Sequence, residues 1–322
     1  MSTDDLVLIC EQAFTEKKLD VFLGYERSPS GFLRPAVFSS LESLKELKWD
    51  PSASLNLASL LPRFKGKKVG IVAPGCVSRS LVILINEGQL VRENLTVVGV
   101  PCQGLIDRKN LTSFSGAKFI GSGEGSFFLE KEGKILELPL KDYLSESCLE
   151  CPFPDPVFFD LKVSGNSKEP GRGSLQRRVE ELAGLTEGER LNYFKNEAEK
   201  CIRCYGCRQA CPMCYCESCF VENSEPRWLH SVPQWPDNLI WLFTRVYHLA
   251  GRCVQCGSCA RACPEGVDLM SLLYFSNQTV LDLFQFQPGL KIGEKPAFGE
   301  YRLDDPDFFW GGGKEEGKKC CS

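Results

Sequence analysis

Two cysteine runs with identical spacing lie between residues 201 and 264. The first run contains Cys201, Cys204, Cys207 and Cys211, followed by Pro212. The second contains Cys253, Cys256, Cys259 and Cys263, followed by Pro264. Both have the C-x2-C-x2-C-x3-C-P spacing that holds [4Fe-4S] clusters. Three thiolates three residues apart can surround one face of a cubane cluster if the backbone turns tightly, and Gly206 and Gly257 are expected to permit this turn.

The fourth cysteine of each run is expected to reach across to the other cluster, as it does in two-cluster ferredoxins. Cluster I is therefore assigned to Cys201, Cys204, Cys207 and Cys263. Cluster II is assigned to Cys253, Cys256, Cys259 and Cys211. Structural zinc is the alternative, but it needs only C-x2-C pairs, without a third cysteine at the same step or a trailing Cys-Pro.

A second group of thiols follows two predicted strands in the first half of the chain. Cys76 and Cys102 each come just after a strand of one predicted βαβ unit, so they are expected at one edge of a parallel sheet. Cys148 and Cys151 add a C-x2-C pair. These four thiols suit a third cluster or a tetrahedral zinc ion. Alternatively, Cys76 and Cys102 are small buried apolar side chains.

Three more cysteines, Cys214, Cys216 and Cys219, follow the first run directly. They are candidates for an open metal site completed by Cys10, Cys320 or a partner. They could also join the set that contains Cys148 and Cys151. The glycines at 121, 123 and 125 favour a plain turn over a phosphate loop, because the full G-x-G-x-x-G spacing is missing.

The elements that must position these residues divide the chain into four parts. Residues 1–163 are predicted to form an α/β domain with a parallel-strand βαβ unit that docks a partner. Residues 164–200 form a linker and helical connector, and residues 201–290 a ferredoxin-like α+β domain for two [4Fe-4S] clusters with a helical, cysteine-rich insert. Residues 291–322 form a low-complexity tail that is expected to be partly mobile.

Composition narrows the class of protein. The chain has 322 residues, 18 cysteines, two histidines and a formal net charge of −4. The N-terminus lacks the basic and apolar regions of a signal peptide, and no apolar run approaches the length of a membrane span. A cytoplasmic protein whose reduced thiols hold metal is therefore expected. The mixed charge gives no electrostatic argument for binding nucleic acid.

Over residues 20–290 the chain resembles the coenzyme F-420 hydrogenase/dehydrogenase beta-subunit family. The resemblance is carried by the segments at 33–35, 56–57, 68–79 and 92–104, which include Cys76 and Cys102, and by the two cysteine runs. It implies an electron-carrying subunit that works between a catalytic subunit and a flavin, and it makes FAD a possible cofactor. The ferredoxin-like part follows the α/β part here, whereas it precedes it in many members.

The expected function is electron transfer through two [4Fe-4S] clusters inside an anaerobic oxidoreductase complex of the formate dehydrogenase, hydrogenase or heterodisulfide-reductase type. Its partners would be a flavin subunit and a catalytic subunit. The alternative is an FAD-containing enzyme subunit that acts on a deazaflavin or a similar diffusible carrier. A zinc-stabilised docking module is a third possibility. The sequence offers no candidate catalytic residue.

Overall fold

The computed structural model describes residues 3–169 and 174–299. Its strands are β1 (Val21–Arg27), β2 (Leu33–Phe38), β3 (Val69–Ala73), β4 (Leu95–Gly99), β5 (Lys118–Ser122), β6 (Ser126–Lys131), β7 (Lys134–Pro139) and β8 (Leu161–Lys162). Its helices are α1 (Thr3–Glu16), α2 (Leu41–Leu44), α3 (Gly75–Asn86), α4 (Glu146–Leu149), α5 (Ser174–Gly184), α6 (Glu187–Lys200), α7 (Gly206–Gln209), α8 (Trp235–Leu249), α9 (Ser258–Ala262) and α10 (Leu269–Phe284). Short 3-10 turns occupy Leu57–Phe64, Arg92–Asn94, Arg108–Phe114, Leu140–Asp142 and Phe220–Glu222.

A five-stranded sheet in the order β2-β1-β3-β4-β8 forms the centre of the first half. Strands β1, β3, β4 and β8 pair in parallel, whereas β2 pairs antiparallel with β1. Every residue of β3 and β4 is buried, which is typical of parallel strands covered on both faces. The predicted βαβ unit is therefore present as β3-α3-β4, with Val69 opposite Leu95.

A separate antiparallel sheet of three strands, β5-β6-β7, lies beside the main sheet and has its own small core. Phe119 and Phe127 stack in this core with 6.1 Å between ring centroids. Residues 123–125 form the turn between β5 and β6, where the N–H of Gly123 donates to the carbonyl of Ser126. The turn predicted at these glycines is thus confirmed. Strand β6 was not predicted.

Helices surround the two cysteine runs in the second half. A capping box starts α6, since Thr186 Oγ1 accepts from the Glu189 N–H while the Thr186 N–H donates to Glu189. Helix α8 begins at Trp235, and Pro236 is well suited to the first turn of a helix. Helix α10 begins at Leu269 behind an Asp268 cap.

One hydrophobic core runs from α1 through the sheet into the helices around the cysteine runs. Arg79 of α3 joins the two halves, because its guanidinium donates to the carbonyls of Pro288 and Val254. Arg252 adds an ion pair with Glu87 at 2.5 Å. The sheet and the cysteine runs are therefore held in a fixed mutual position. Residues 300–322 of the predicted tail lie outside the described residues.

No helix within residues 3–169 and 174–299 is long and apolar enough to cross a membrane.

The turn between β1 and β2 gives a prediction about stability. Gly31 has φ of +80°, and a Cβ added there would lie 1.8 Å from the carbonyl oxygen of Phe119. Gly66 has φ of +79°, but a Cβ there would meet nothing within 4 Å. Gly66→Ala should cost about 1 kcal/mol from backbone strain alone. Gly31→Ala should cost at least about 2–3 kcal/mol, because backbone must also move.

Anoxic thermal unfolding of the two variants measures this difference. Equal unfolding midpoints for both variants would contradict the close packing of the turn against β5.

Candidate metal centres

Four cysteines from both runs line one cavity of about 20 Å³. They are Cys201, Cys204, Cys207 and Cys263. Cys201 and Cys204 lie between the end of α6 and the short helix α7, Cys207 lies within α7, and Cys263 directly follows α9. Trp241 of α8 contributes an apolar wall. The structure thus brings together the four residues assigned to cluster I, including the one from the other run. We name this set site I.

The two cysteine runs turn tightly at equivalent positions. Arg203 and Tyr205 have φ of 50° and 57°, and the corresponding Gln255 and Gly257 have 58° and 68°. The expectation for Gly257 is confirmed, but Gly206 is not the residue that makes the first turn. Gly206 is instead needed for close packing, since a Cβ there would lie 3.1 Å from the Ala262 carbonyl oxygen.

Each turn directs a backbone N–H at a cysteine sulfur. The N–H of Gln255 donates to Sγ of Cys253 at 3.4 Å. Burial raises the pKa of the Cys201 thiol, and a hydrogen bond from the Arg203 N–H opposes this rise. Hydrogen bonds of this kind stabilise a thiolate. Both runs are therefore shaped to hold charged sulfur.

The set assigned to cluster II, which we name site II, also comes together. Burial raises the pKa of the Cys253 thiol, and the neighbouring thiols of Cys259, Cys256 and Cys211 raise it further. Burial likewise raises the pKa of Cys259, and Arg245 opposes this rise. Cys211 of the first run thus lies among the three leading cysteines of the second, as the crossed assignment requires.

A third set surrounds a cavity of about 40 Å³ at the carboxyl edge of the main sheet. Its thiols belong to Cys76, Cys102, Cys148 and Cys151, and we name the set site III. Cys76 lies in the first turn of α3, which starts at Gly75. A Cβ on Gly75 would lie 1.8 Å from the Phe153 carbonyl oxygen, so glycine here lets the Cys151 segment pack over the helix start.

Sites II and III share a boundary. Cys256 belongs to site II but also lines the site III cavity. Burial raises the pKa of Cys76 well above its usual value, and Cys256 is the neighbouring thiol that raises it most. A Cβ added to Gly257 would lie 2.0 Å from Ser147 Oγ, so α4, which carries Cys148, packs directly on the second run.

Cys214, Cys216 and Cys219 differ in their surroundings, and their role as metal ligands stays a prediction. A hydrogen bond with Cys211 lowers the pKa of Cys214, so this thiol lies beside site II. Cys216 is exposed, and Cys219 begins the 3-10 turn at Phe220–Glu222. Cys10 lies in the hydrophobic core on α1, where burial raises its pKa. Cys320 lies outside the described residues.

Three arginines each interact electrostatically with thiols of two sites, and of these Arg79 and Arg245 are buried and Arg261 is half-buried. Arg79 interacts electrostatically with Cys151 and Cys76 of site III and with Cys253 and Cys256 of site II. Arg261 interacts with Cys148, Cys256 and Cys76. Arg245 interacts with Cys259, Cys211, Cys207 and Cys214. Sequence reasoning missed Arg79 and Arg245, although a charged residue at an apolar position of a helix was a usable signal.

The donor sets suit iron–sulfur clusters. Burial raises the pKa of Cys102 to about 12 and that of Cys207 to about 11. Such crowded thiols ionise only if a bound cation compensates the thiolates. Within the described part of the chain, no three His, Cys, Asp or Glu side chains are arranged around a single metal ion. The thiols of site I and site III line cavities.

Similarity to known proteins covers both cysteine runs and most of the chain. Residues 197–267 match the family model for a 4Fe-4S dicluster domain. The F420-dependent formate dehydrogenase subunit beta of Methanocaldococcus jannaschii is 23% identical over an alignment of 308 positions. The alignment covers 76% of this chain and 80% of the relative. The F420-dependent formate dehydrogenase 1 subunit beta of Methanococcus maripaludis is 28% identical over 160 residues, which cover 46% of this chain and 37% of the relative.

Site III gives a prediction about iron content. Replacing both Cys76 and Cys102 by Ser should remove about a third of the iron per chain, because a cubane cluster requires four thiolates. Cys216→Ser is the control, since this exposed cysteine lines neither cavity. Iron and acid-labile sulfide are measured in anoxically purified protein. Full iron content in a folded double variant would exclude a cluster at site III.

The raised thiol pKa values predict how cluster loading depends on pH. Cys102 and Cys207 hold their protons at neutral pH, since burial raises the pKa of each thiol. Cluster binding must displace these protons, so loading of the apo-protein with iron and sulfide should become more favourable as pH rises. Visible absorbance at several pH values and proton release into a weak buffer measure this. Loading without proton release would contradict the prediction.

Proposed function

We propose that this chain, a relative of F420-dependent formate dehydrogenase beta subunits, is the iron–sulfur electron-transfer subunit of an oxidoreductase complex with three [4Fe-4S] clusters. The observation that carries the proposal is the presence of three adjoining sets of four cysteines. Sites I and II contain the two cysteine runs, and site III lies at the carboxyl edge of the sheet. That edge is where open α/β sheets commonly bind ligands.

The three sites form a row in the order III, II, I. Cys256 belongs to site II and lines site III. Arg245 interacts with Cys259 of site II and Cys207 of site I. Site II is thus the middle position. When bound, [4Fe-4S] clusters accept and donate single electrons, and this row connects the α/β sheet with the far side of the ferredoxin-like part.

The chain's own residues hold the clusters, exclude water and offset their charge. Trp241 and Leu242 cover site I, and Phe153 and Leu105 cover site III. The buried arginines lie where thiolate charge accumulates, and positive charge near a cluster favours its reduced form. Lys200, Arg208 and Arg252, unlike the buried arginines, form ion pairs with carboxylates. Those three side chains therefore supply little charge to the clusters.

The two ends of the row suit contacts with other subunits. At site I, Cys204 is exposed and the neighbouring Ile202 is 52% exposed. A redox partner could approach this site closely. Site III lies on the α/β part, which the proposal assigns to docking the catalytic or flavin subunit of a cytoplasmic complex. The formate dehydrogenase type is favoured, because both relatives described above carry that name.

The experiment that tests the function is anoxic purification followed by assay of iron, acid-labile sulfide and flavin. The relay predicts about twelve iron atoms per chain, from three clusters of four, and no flavin on denaturation. Released FAD together with reduction of a deazaflavin by the isolated chain would favour the alternative enzyme function. A colourless protein without sulfide would overturn both and leave a zinc-stabilised docking module.

The crossed ligand assignment gives a further prediction. Cys263→Ser should damage the same cluster as Cys201→Ser, because both residues line the site I cavity. Cys263 is a better choice than Cys211, since Cys214 is hydrogen-bonded to Cys211 and could replace it. Electron paramagnetic resonance of the reduced variants identifies the altered cluster, and Cys253→Ser is the comparison for site II.

A Cys263→Ser spectrum that matches Cys253→Ser would mean that each run supplies all four ligands of its own cluster.

A further inference from the structure

Arg245 is a buried cation with unused hydrogen-bond donors. It lies on α8, in the insert between the two cysteine runs, and only 3% of the residue is exposed. Its Nη2 donates to the carbonyl of Cys207 at 3.1 Å. Its Nε and Nη1 are fully buried without a hydrogen-bond partner. A buried guanidinium in this condition is costly, so the surroundings must provide a compensating group.

The groups that interact electrostatically with this guanidinium are cysteine sulfurs. Its electrostatic interactions are with Cys259 and Cys211 of site II, Cys207 of site I and the adjacent Cys214. Among the described residues, Arg245 takes part in no ion pair with a carboxylate, unlike Arg252, which binds Glu87. The unused N–H groups therefore lie among sulfur ligands of both sites.

Arg79 and Arg261, which also interact with thiols of two sites, are engaged differently. Arg79 donates from Nε, Nη1 and Nη2 to backbone carbonyls. Arg261 donates to the Ser54 carbonyl and to the hydroxyls of Ser145 and Ser258. Their role includes holding the backbone in place. Arg245 retains two donors that backbone and hydroxyl groups do not use.

We propose that Arg245 is a positioning residue that donates hydrogen bonds to the sulfurs of sites I and II and raises the reduction potentials of both clusters. A reduced cluster carries one more negative charge than an oxidised one, so a nearby cation and its N–H groups stabilise the reduced form more. Site II should be affected more, because Cys259 and Cys211 interact with Arg245 most strongly. The inference rests on the proposed placement of the two clusters.

The planar guanidinium explains why arginine suits this position. It presents five N–H donors in a fixed fork, so one side chain can serve two sites at once. Lysine keeps the positive charge but offers a single flexible ammonium group. Glutamine removes the charge and most donors. Lysine and glutamine variants therefore separate the contribution of charge from that of the fork.

The test is a redox titration of the holo-protein monitored by electron paramagnetic resonance. Arg245→Gln should lower the equilibrium constant for reduction of the site II cluster at least tenfold, which is about 59 mV for a one-electron couple. The site I cluster should shift in the same direction by less. Arg245→Lys should give a smaller shift. Arg178→Gln is the matched control, because Arg178 pairs with Glu146 and Asp268 and not with cysteine.

Unchanged potentials in Arg245→Gln, or an equal shift in Arg178→Gln, would overturn the proposal. If Arg245→Gln does not retain iron, the iron content and reduction potentials of Arg245→Lys test the proposal. Lowered potentials with full iron support the proposal, whereas wild-type potentials contradict it. Loss of iron from Arg245→Lys also contradicts it, since Arg245 would then serve assembly. Wild-type protein without two clusters would refute the proposed function itself.

Discussion

Crowding of negative sulfur in a buried region is the constraint on which this structure depends. The twelve cysteines of the three sites lie in adjoining parts of the fold, and burial raises the pKa of many of their thiols. Thiolates so close together repel one another strongly at low dielectric. Arginines between the sites offset this repulsion, and iron would do so in a bound cluster. The positions of Arg79, Arg245 and Arg261 follow from that requirement.

Close backbone packing meets the geometric part of the same requirement. Gly75 lets the segment after Cys151 pack over the start of α3, and Gly257 lets α4 pack on the second run. These two contacts bring cysteines from three separate segments of the α/β part to one end of the ferredoxin-like part. Arg79 then fixes that junction through carbonyls of Val254 and Pro288. The row of sites is thus a consequence of packing between the two halves, and the continuous hydrophobic core makes it rigid.

The two ends of the proposed row of sites differ in exposure, since site I includes the exposed Cys204 and the site III cysteines are half-buried. In the proposed order site II lies between the other two, and its Cys259 is buried whereas its other cysteines are half-buried. Site I reaches the surface at Cys204. The insert between the cysteine runs, which carries α8, covers site I with Trp241 and supplies Arg245 to both sites of the ferredoxin-like part. In the proposed relay, this insert is therefore part of the electron-transfer apparatus and not merely a connection.

The sequence by itself determined the ligand chemistry, the βαβ unit and most helices, because cysteine spacing, continuous apolar strands and capping residues act over short distances. It also indicated that Cys76 and Cys102 lie at one sheet edge, since parallel strands in a βαβ unit fix that position. Tertiary structure alone decided that Cys256 adjoins site III, that Cys214 but not Cys216 lies beside site II, and that Arg79 and Arg245 lie among the thiols. These contacts join residues distant along the chain, and no local pattern encodes which of several buried surfaces meet.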